Sequence, residues 1–193
     1  MLAAFFWLGF YVTKHGEPHA LNVFQLQLRG QGTAVAWRFT EMGWGYVLAP
    51  LYLALIALAI FRPEWRGPAL FAVAIALICW GAATEFQHFF ARPRRLDWLV
   101  RHETAGSYPS SHAAISTGFY FLCGVLALRS NLAAWLRYTL FALLTFVTLA
   151  IIWSRIELAA HNITDVIGGV MLALAIILLG AAVVEFARRP VVS

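Results

Sequence analysis

Residues 154–165 read SRIELAAHNITD, a polar interruption set between two apolar runs, 138–153 and 166–187. A helix of about 20 apolar residues crosses the hydrocarbon layer of a bilayer. Two such runs parted by one charged turn therefore describe two crossings that meet at a membrane face. Working outward, the same pattern recurs over 45–61, 68–90 and 112–128, and a shorter apolar run occupies residues 1–13. The spacing predicts about six transmembrane helices, the first of them the shortest.

Composition agrees with that reading. The chain of 193 residues is 62% hydrophobic and 12% charged, against about 25% charge in ordinary soluble domains. So much apolar surface cannot be hidden in one small core, so the outside of the fold must face lipid. The expectation is all-α: a polytopic membrane helical bundle forming one domain, residues 1–193, with its active site at one membrane face. A net charge of +5, scattered between spans, does not read as a nucleic-acid footprint and suits anionic lipid headgroups or phosphorylated substrates better. Cys79 and Cys123 fall inside apolar runs and read as buried thiols rather than a disulfide or metal pair. The first residues lack the basic region and cleavage site of a secretory signal and read as a retained anchor.

Trp44, Trp65, Trp98, Trp135 and Trp153 fall at proposed span ends, where an amphipathic ring prefers the headgroup layer. Residues 14–44 alternate apolar and amide side chains, as a segment in the interface or a surface loop would. With six spans, both termini share a side with Arg62, Arg66, Arg129, Arg137, Arg188 and Arg189. The opposite face keeps four basic residues once Arg92, Arg94, Arg95 and Arg155 are set aside as functional. The positive-inside rule then leans towards cytoplasmic termini.

Three polar stretches gather at that opposite face, where ionisable groups near the membrane are functional by default. In 85–95, EFQHFFARPRR, the spacing puts Glu85, His88 and Arg92 on one helical face, with Pro93 closing the helix. Arg94 and Arg95 read most simply as a snorkelling pair at the span's end. In 107–112, SYPSSH, Ser110 and Ser111 at a helix start offer hydroxyls and backbone N–H groups to an anion, with His112 at the edge. In 154–165, His161 and Asp165 stand four residues apart, so the carboxylate can accept from one imidazole nitrogen and leave the other basic. That is the arrangement of a histidine nucleophile; a satisfied pair at a helix start is an equal reading. Arg155 would approach from another wall as a planar clamp for phosphate oxygens. Arginines, hydroxyls, amides and two histidines together suit phosphoryl transfer, which depends on positioning and charge neutralisation.

These stretches, in this order, resemble the type 2 phosphatidic acid phosphatase family of membrane lipid phosphatases. The family pattern is a lysine, six residues and Arg-Pro; then Pro-Ser-Gly-His; then Ser-Arg, five residues, His, three residues and Asp. The last element is matched in full by Ser154, Arg155, His161 and Asp165. The resemblance implies that His161 forms a phosphohistidine, that Asp165 orients it, and that His112 protonates the departing lipid oxygen. Arg92, Ser110, Ser111 and Arg155 would hold the phosphate, without metal or other cofactor. Two departures stand out: Ser111 replaces the family's glycine, and Glu85 the family's lysine. Glu85, His88, Arg94 and Arg95 are therefore candidate modulators, and one of the cations could replace the missing charge.

The implied function is hydrolysis of a membrane lipid phosphate or diphosphate, with a lean towards undecaprenyl diphosphate or phosphatidylglycerol phosphate. Transfer of the phosphoryl group to another lipid, such as lipid A, is the enzymatic alternative. A non-catalytic membrane protein, ligating haem through His88, His112 and His161 or serving as a scaffold, is the competing class. It leaves the serines and arginines without a task. Short loops and small size point to a bacterial inner membrane, with the site facing the periplasm.

Overall fold

A computed structural model describes residues 1–30, 33–94, 99 and 105–188. Arg95, Trp98 and Arg189 lie outside the described residues. Helices α1 (Leu2–His15), α2 (His19–Leu28), α3 (Ala34–Glu41), α4 (Gly45–Phe61) and α5 (Arg66–Phe90) are followed by α6 (Ser111–Leu128), α7 (Ala134–Glu157) and α8 (Ile163–Arg188). Among the described residues all regular structure is helical, as the apolar runs led one to expect.

Helices α5, α6, α7 and α8 are each long and apolar enough to cross a membrane. The pair α3 and α4, bent by 44° at the Met42–Trp44 break, adds a fifth if taken as one span. Helix α1 has 14 residues; at about 1.5 Å per residue it reaches only about 21 Å, short of a hydrocarbon layer of about 30 Å. The apolar runs located these helices closely: α4 occupies 45–61, and α6, α7 and α8 begin one to four residues before their runs. The exterior is apolar, with Leu53, Phe61, Trp80, Phe146, Leu179 and Phe186 exposed, as a lipid-facing surface demands.

Helix α6 is the central post. It packs on α5, α7 and α8, its first residues are almost wholly buried, and it loosens into a π turn over Thr117–Phe121. Helix α1 leans on α5 and α8 through an aromatic cluster: Phe5 stacks on Tyr108 at 5.5 Å and meets Phe86 and Phe90 edge-on at 5.0 and 5.9 Å. The Tyr108 hydroxyl donates to the Phe5 carbonyl at 2.8 Å, which satisfies the buried phenol. Residues 14–44, read as an interfacial segment, form α2 and α3, whose inward faces bury Gln25 and Thr40. Those two side chains lead to the site.

Candidate active site

The three polar stretches meet at the inner ends of α5, α6, α7 and α8. Two alanines in the left-handed region make this possible. Helix α5 stops at Phe90, and Ala91 (φ 46°) turns the chain so that the Arg92 side chain enters the interior. After α7, Ala159 (φ 53°) reverses the backbone so that the N–H groups of Ala160 and His161 both donate to the Arg155 carbonyl, at 3.0 and 3.1 Å. A left-handed non-glycine residue costs about 1–2 kcal/mol, and such strain collects at functional sites. The five residues between Arg155 and His161 are thus the length of this turn.

The predicted helical face of Glu85, His88 and Arg92 does not form. Because the helix ends before Ala91, Arg92 leaves the register of α5, while Glu85 and His88 stay exposed on it. Glu85 does not line the cavities that border Arg92, Arg94 or His112. Gln87 takes the inward position and donates to the Pro109 carbonyl at 2.8 Å. Gly106 lets the returning loop touch this helix end: a Cβ there would stand 2.5 Å from the Gln87 carbonyl oxygen. Ser107 N–H then donates to the Arg92 carbonyl at 2.8 Å, drawing the 105–110 loop over the site.

The His161–Asp165 pair also departs from its expected form. His161 precedes α8 rather than starting it, and its Nδ1 lies 2.9 Å from the Ser107 carbonyl oxygen and 3.7 Å from Asp165 Oδ2. A carbonyl only accepts, so Nδ1 carries the proton and Nε2 keeps its lone pair. Nε2 is buried and has no hydrogen-bond partner among the described residues. Burial pulls the imidazole below its ordinary pKa; the hydrogen-bonding influence of Asp165 pulls up, and Arg155 and Arg94 pull down. The net direction favours the uncharged imidazole. The Asp165 carboxylate is shared: besides lying beside the imidazole, Oδ2 accepts the Asn162 N–H at 2.9 Å, and Oδ1 takes Arg92 Nη1 at 2.5 Å.

Arg92, expected at the phosphate, is held between carboxylates. Nη1 also donates to Thr164 Oγ1 at 2.8 Å, and Nη2 reaches Glu17 Oε2 at 3.1 Å. Arg155 is completely buried in the last turn of α7 and donates from Nη1 to Thr40 Oγ1 at 2.6 Å. Arg94 donates to the carbonyls of Ala105, Gly106 and Ala160 at 2.9, 3.1 and 3.3 Å. Arg94 and Arg155 both lie within Coulombic reach of His161 and His112.

Ser110 caps α6, its hydroxyl accepting the Ala113 N–H at 3.4 Å, while its own N–H donates to the Asp165 carbonyl at 2.9 Å. Ser111 occupies the first turn in ordinary right-handed backbone, so the family's glycine is not required there. His112 stands next to it, edge-on to Trp44 with ring centroids 5.3 Å apart. It borders an apolar cavity of about 520 Å³ between α4 and α5, lined by Trp44, Leu48, Tyr52, Leu77 and Trp80 and reaching Ser111.

Several members were not singled out from the sequence. Glu17, Gln25, Thr40 and the Ser107 carbonyl all arrive from outside the motif positions. For Glu17, Gln25 and Thr40 the only sequence signal was a polar residue within 14–44, which does not name a partner; Ser107 opens the second polar stretch, but nothing there singles out its carbonyl.

This bundle has relatives. One solved structure, the PAP2 type phosphatidylglycerolphosphate phosphatase of Bacillus subtilis, is 18% identical with a TM-score of 0.75, over 97% of each chain. LpxE of Aquifex aeolicus is 23% identical with a TM-score of 0.53, over 90% of this chain and 92% of that one. At these identities the likeness is one of fold. Among curated proteins, none matches. The sequence profile of the PAP2 superfamily matches residues 67–189, the stretch that holds α5 to α8 and every motif position, and the chain belongs to that superfamily.

Proposed function

We propose that the protein is a lipid phosphate phosphatase that attacks phosphorus with His161 Nε2 and needs no metal. The observation that carries this reading is the Nδ1 contact with the Ser107 carbonyl, which fixes the tautomer and leaves a buried Nε2 lone pair on a ring within the field of Arg94 and Arg155. In the first step Nε2 bonds to phosphorus while the bond to the lipid oxygen breaks, and His112, when protonated, gives that oxygen its proton. Arg94 and Arg155 offset the charge spread over the equatorial oxygens. In the second step water gives a proton to His112 as its oxygen attacks the phosphohistidine, releasing inorganic phosphate and restoring both imidazoles to their starting states. Arg92, held by Asp165 and Glu17, positions rather than binds. Among the described residues no three His, Cys, Asp or Glu side chains stand together as a metal set.

The apolar cavity beside His112 supports a leaving group with a hydrocarbon chain. Phosphatidylglycerol phosphate, for which the Bacillus subtilis protein is named, leads the candidate substrates, with undecaprenyl diphosphate next. The placement we infer is a bacterial inner membrane, with the site on the periplasmic face.

The test is phosphate release from detergent-solubilised lipid phosphates, with a chelator present, by wild type and His161→Ala. Wild type is expected to release phosphate and to form a protein-bound phosphate stable to base and lost in acid. The variant is expected to fold normally and to lose at least about 10³-fold in rate. Undiminished release by the variant would sink the reading. A doubly phosphorylated lipid in place of free phosphate would turn it into phosphotransfer.

A further inference from the structure

We propose that Glu17, on the turn between α1 and α2, is a positioning residue that keeps the Asp165 carboxylate effective towards His161 by offsetting the charge of Arg92. The inference rests on His161 being the nucleophile. Glu17 lies outside residues 67–189, so the family match does not account for it.

Both of its carboxylate oxygens are engaged. Oε1 accepts the Thr164 N–H at 3.2 Å; Oε2 accepts Arg92 Nη2 at 3.1 Å and also the Thr164 hydroxyl. The side chain is 6% exposed, and a carboxylate so buried persists only when paired and hydrogen-bonded. Gln25, from the same segment, accepts the Ile163 N–H at 3.1 Å and donates to Asn162 Oδ1 at 3.1 Å. The first N–H groups of α8 are thus capped from the amino-terminal segment instead of by solvent.

Charge accounting gives this cap a chemical role. Arg92 sits 2.5 Å from Asp165 Oδ1; alone, it would cancel most of the carboxylate's field at an imidazole 3.7 Å from Oδ2. With Glu17 on the other side of the guanidinium, Glu17, Arg92 and Asp165 together carry one negative charge. That charge sustains the basicity of Nε2 against burial and against the cations on the other walls. The charged and titratable groups facing His161 are Asp165 on α8, Arg155 on α7, Arg94 after α5 and His112 on α6. Arg92 and Glu17 act on the ring through Asp165.

Two roles for Glu17 are separable. A purely structural cap lowers the amount of competent enzyme and leaves the pH dependence where it was. A charge-balancing residue moves the acid limb of kcat/KM, which reports the free enzyme's essential base. Phosphate release from dioleoyl phosphatidate in detergent micelles is measured between pH 4.5 and 8 for wild type, Glu17→Gln, Glu17→Asp and His161→Ala. The substrate's own ionisation is common to all four. Glu17→Gln is expected to lower the plateau about tenfold and to move the acid limb down by about half a pH unit or more, since removing the nearby anion disfavours the imidazolium. Glu17→Asp, which keeps the charge but withdraws it by one methylene, should place its limb between the two. It carries the test if Glu17→Gln does not fold. A wild-type limb in either folded variant overturns the proposal, whatever happens to the plateau. Full activity of His161→Ala overturns the nucleophile reading as well; its loss, with an unmoved Glu17→Gln limb, overturns only this one.

Discussion

At the scale of single residues, the proposed mechanism assigns the three buried arginines different tasks. The charges of Arg94 and Arg155 act on both histidines, whereas Arg92 is held by Asp165, Thr164 and Glu17. Glu85 occupies the motif position of a lysine yet points outward from α5. Glu85→Lys should therefore change kcat and KM for a lipid phosphate less than about threefold, as exposed substitutions away from a site do. A gain of tenfold or more would mean that the side chain at 85 reaches the substrate. The motif Ser154, Arg155, His161, Asp165 was legible because a fixed turn imposes a fixed spacing. The Ser107 carbonyl was not: any residue presents a carbonyl, and only the loop's course brings this one to Nδ1. Glu17 was hidden for the same kind of reason, since its partner Arg92 lies 75 positions away in sequence.

At the scale of elements, long apolar runs announced α4 to α8 because lipid demands an unbroken apolar helix. Residues 14–44 were not readable in this way. Their helices are short and amphipathic, and what fixes them is tertiary: Gln25 on Asn162, Thr40 under Arg155 and Thr33 N–H on Glu157 at 3.1 Å. The break between α3 and α4 bears on His112, the proposed general acid. Gly43 lies against His112, and a Cβ placed on it would stand 2.5 Å from the imidazole Cδ2. The ring is the movable partner, so Gly43→Ala should turn His112 away from the departing oxygen. The expected outcome is a kcat lowered about tenfold or more, with a destabilisation of about 1–3 kcal/mol typical of overpacking. Thermal unfolding and steady-state kinetics on the same preparation check both halves. An unchanged kcat would remove His112 from the acid role.

At the scale of the whole molecule, a polar end and an apolar belt must serve one substrate that is half of each. The belt packs lipid-facing Leu, Phe and Trp outward, while the polar end collects the arginines and histidines. The apolar cavity of about 520 Å³ joins the two, running from Ser111 and His112 between α4 and α5 towards the exposed faces of Leu77, Trp80 and Ala49. A phosphate seated at His161 would place the first part of its hydrocarbon chain there. Ala49→Trp puts an indole into the cavity wall without touching a charged group. If the chain lies in this cavity, the variant should raise KM for a long-chain lipid phosphate about tenfold, the equivalent of losing burial for about two methylenes. A small soluble monoester such as p-nitrophenyl phosphate has no chain to exclude, and its kcat/KM should stay within about twofold of wild type. Equal losses for both substrates would show instead that the indole disturbs the histidines. No loss for either would place the chain along another face of the bundle. The comparison reads the division of labour directly, because the apolar belt and the phosphate site are altered one at a time.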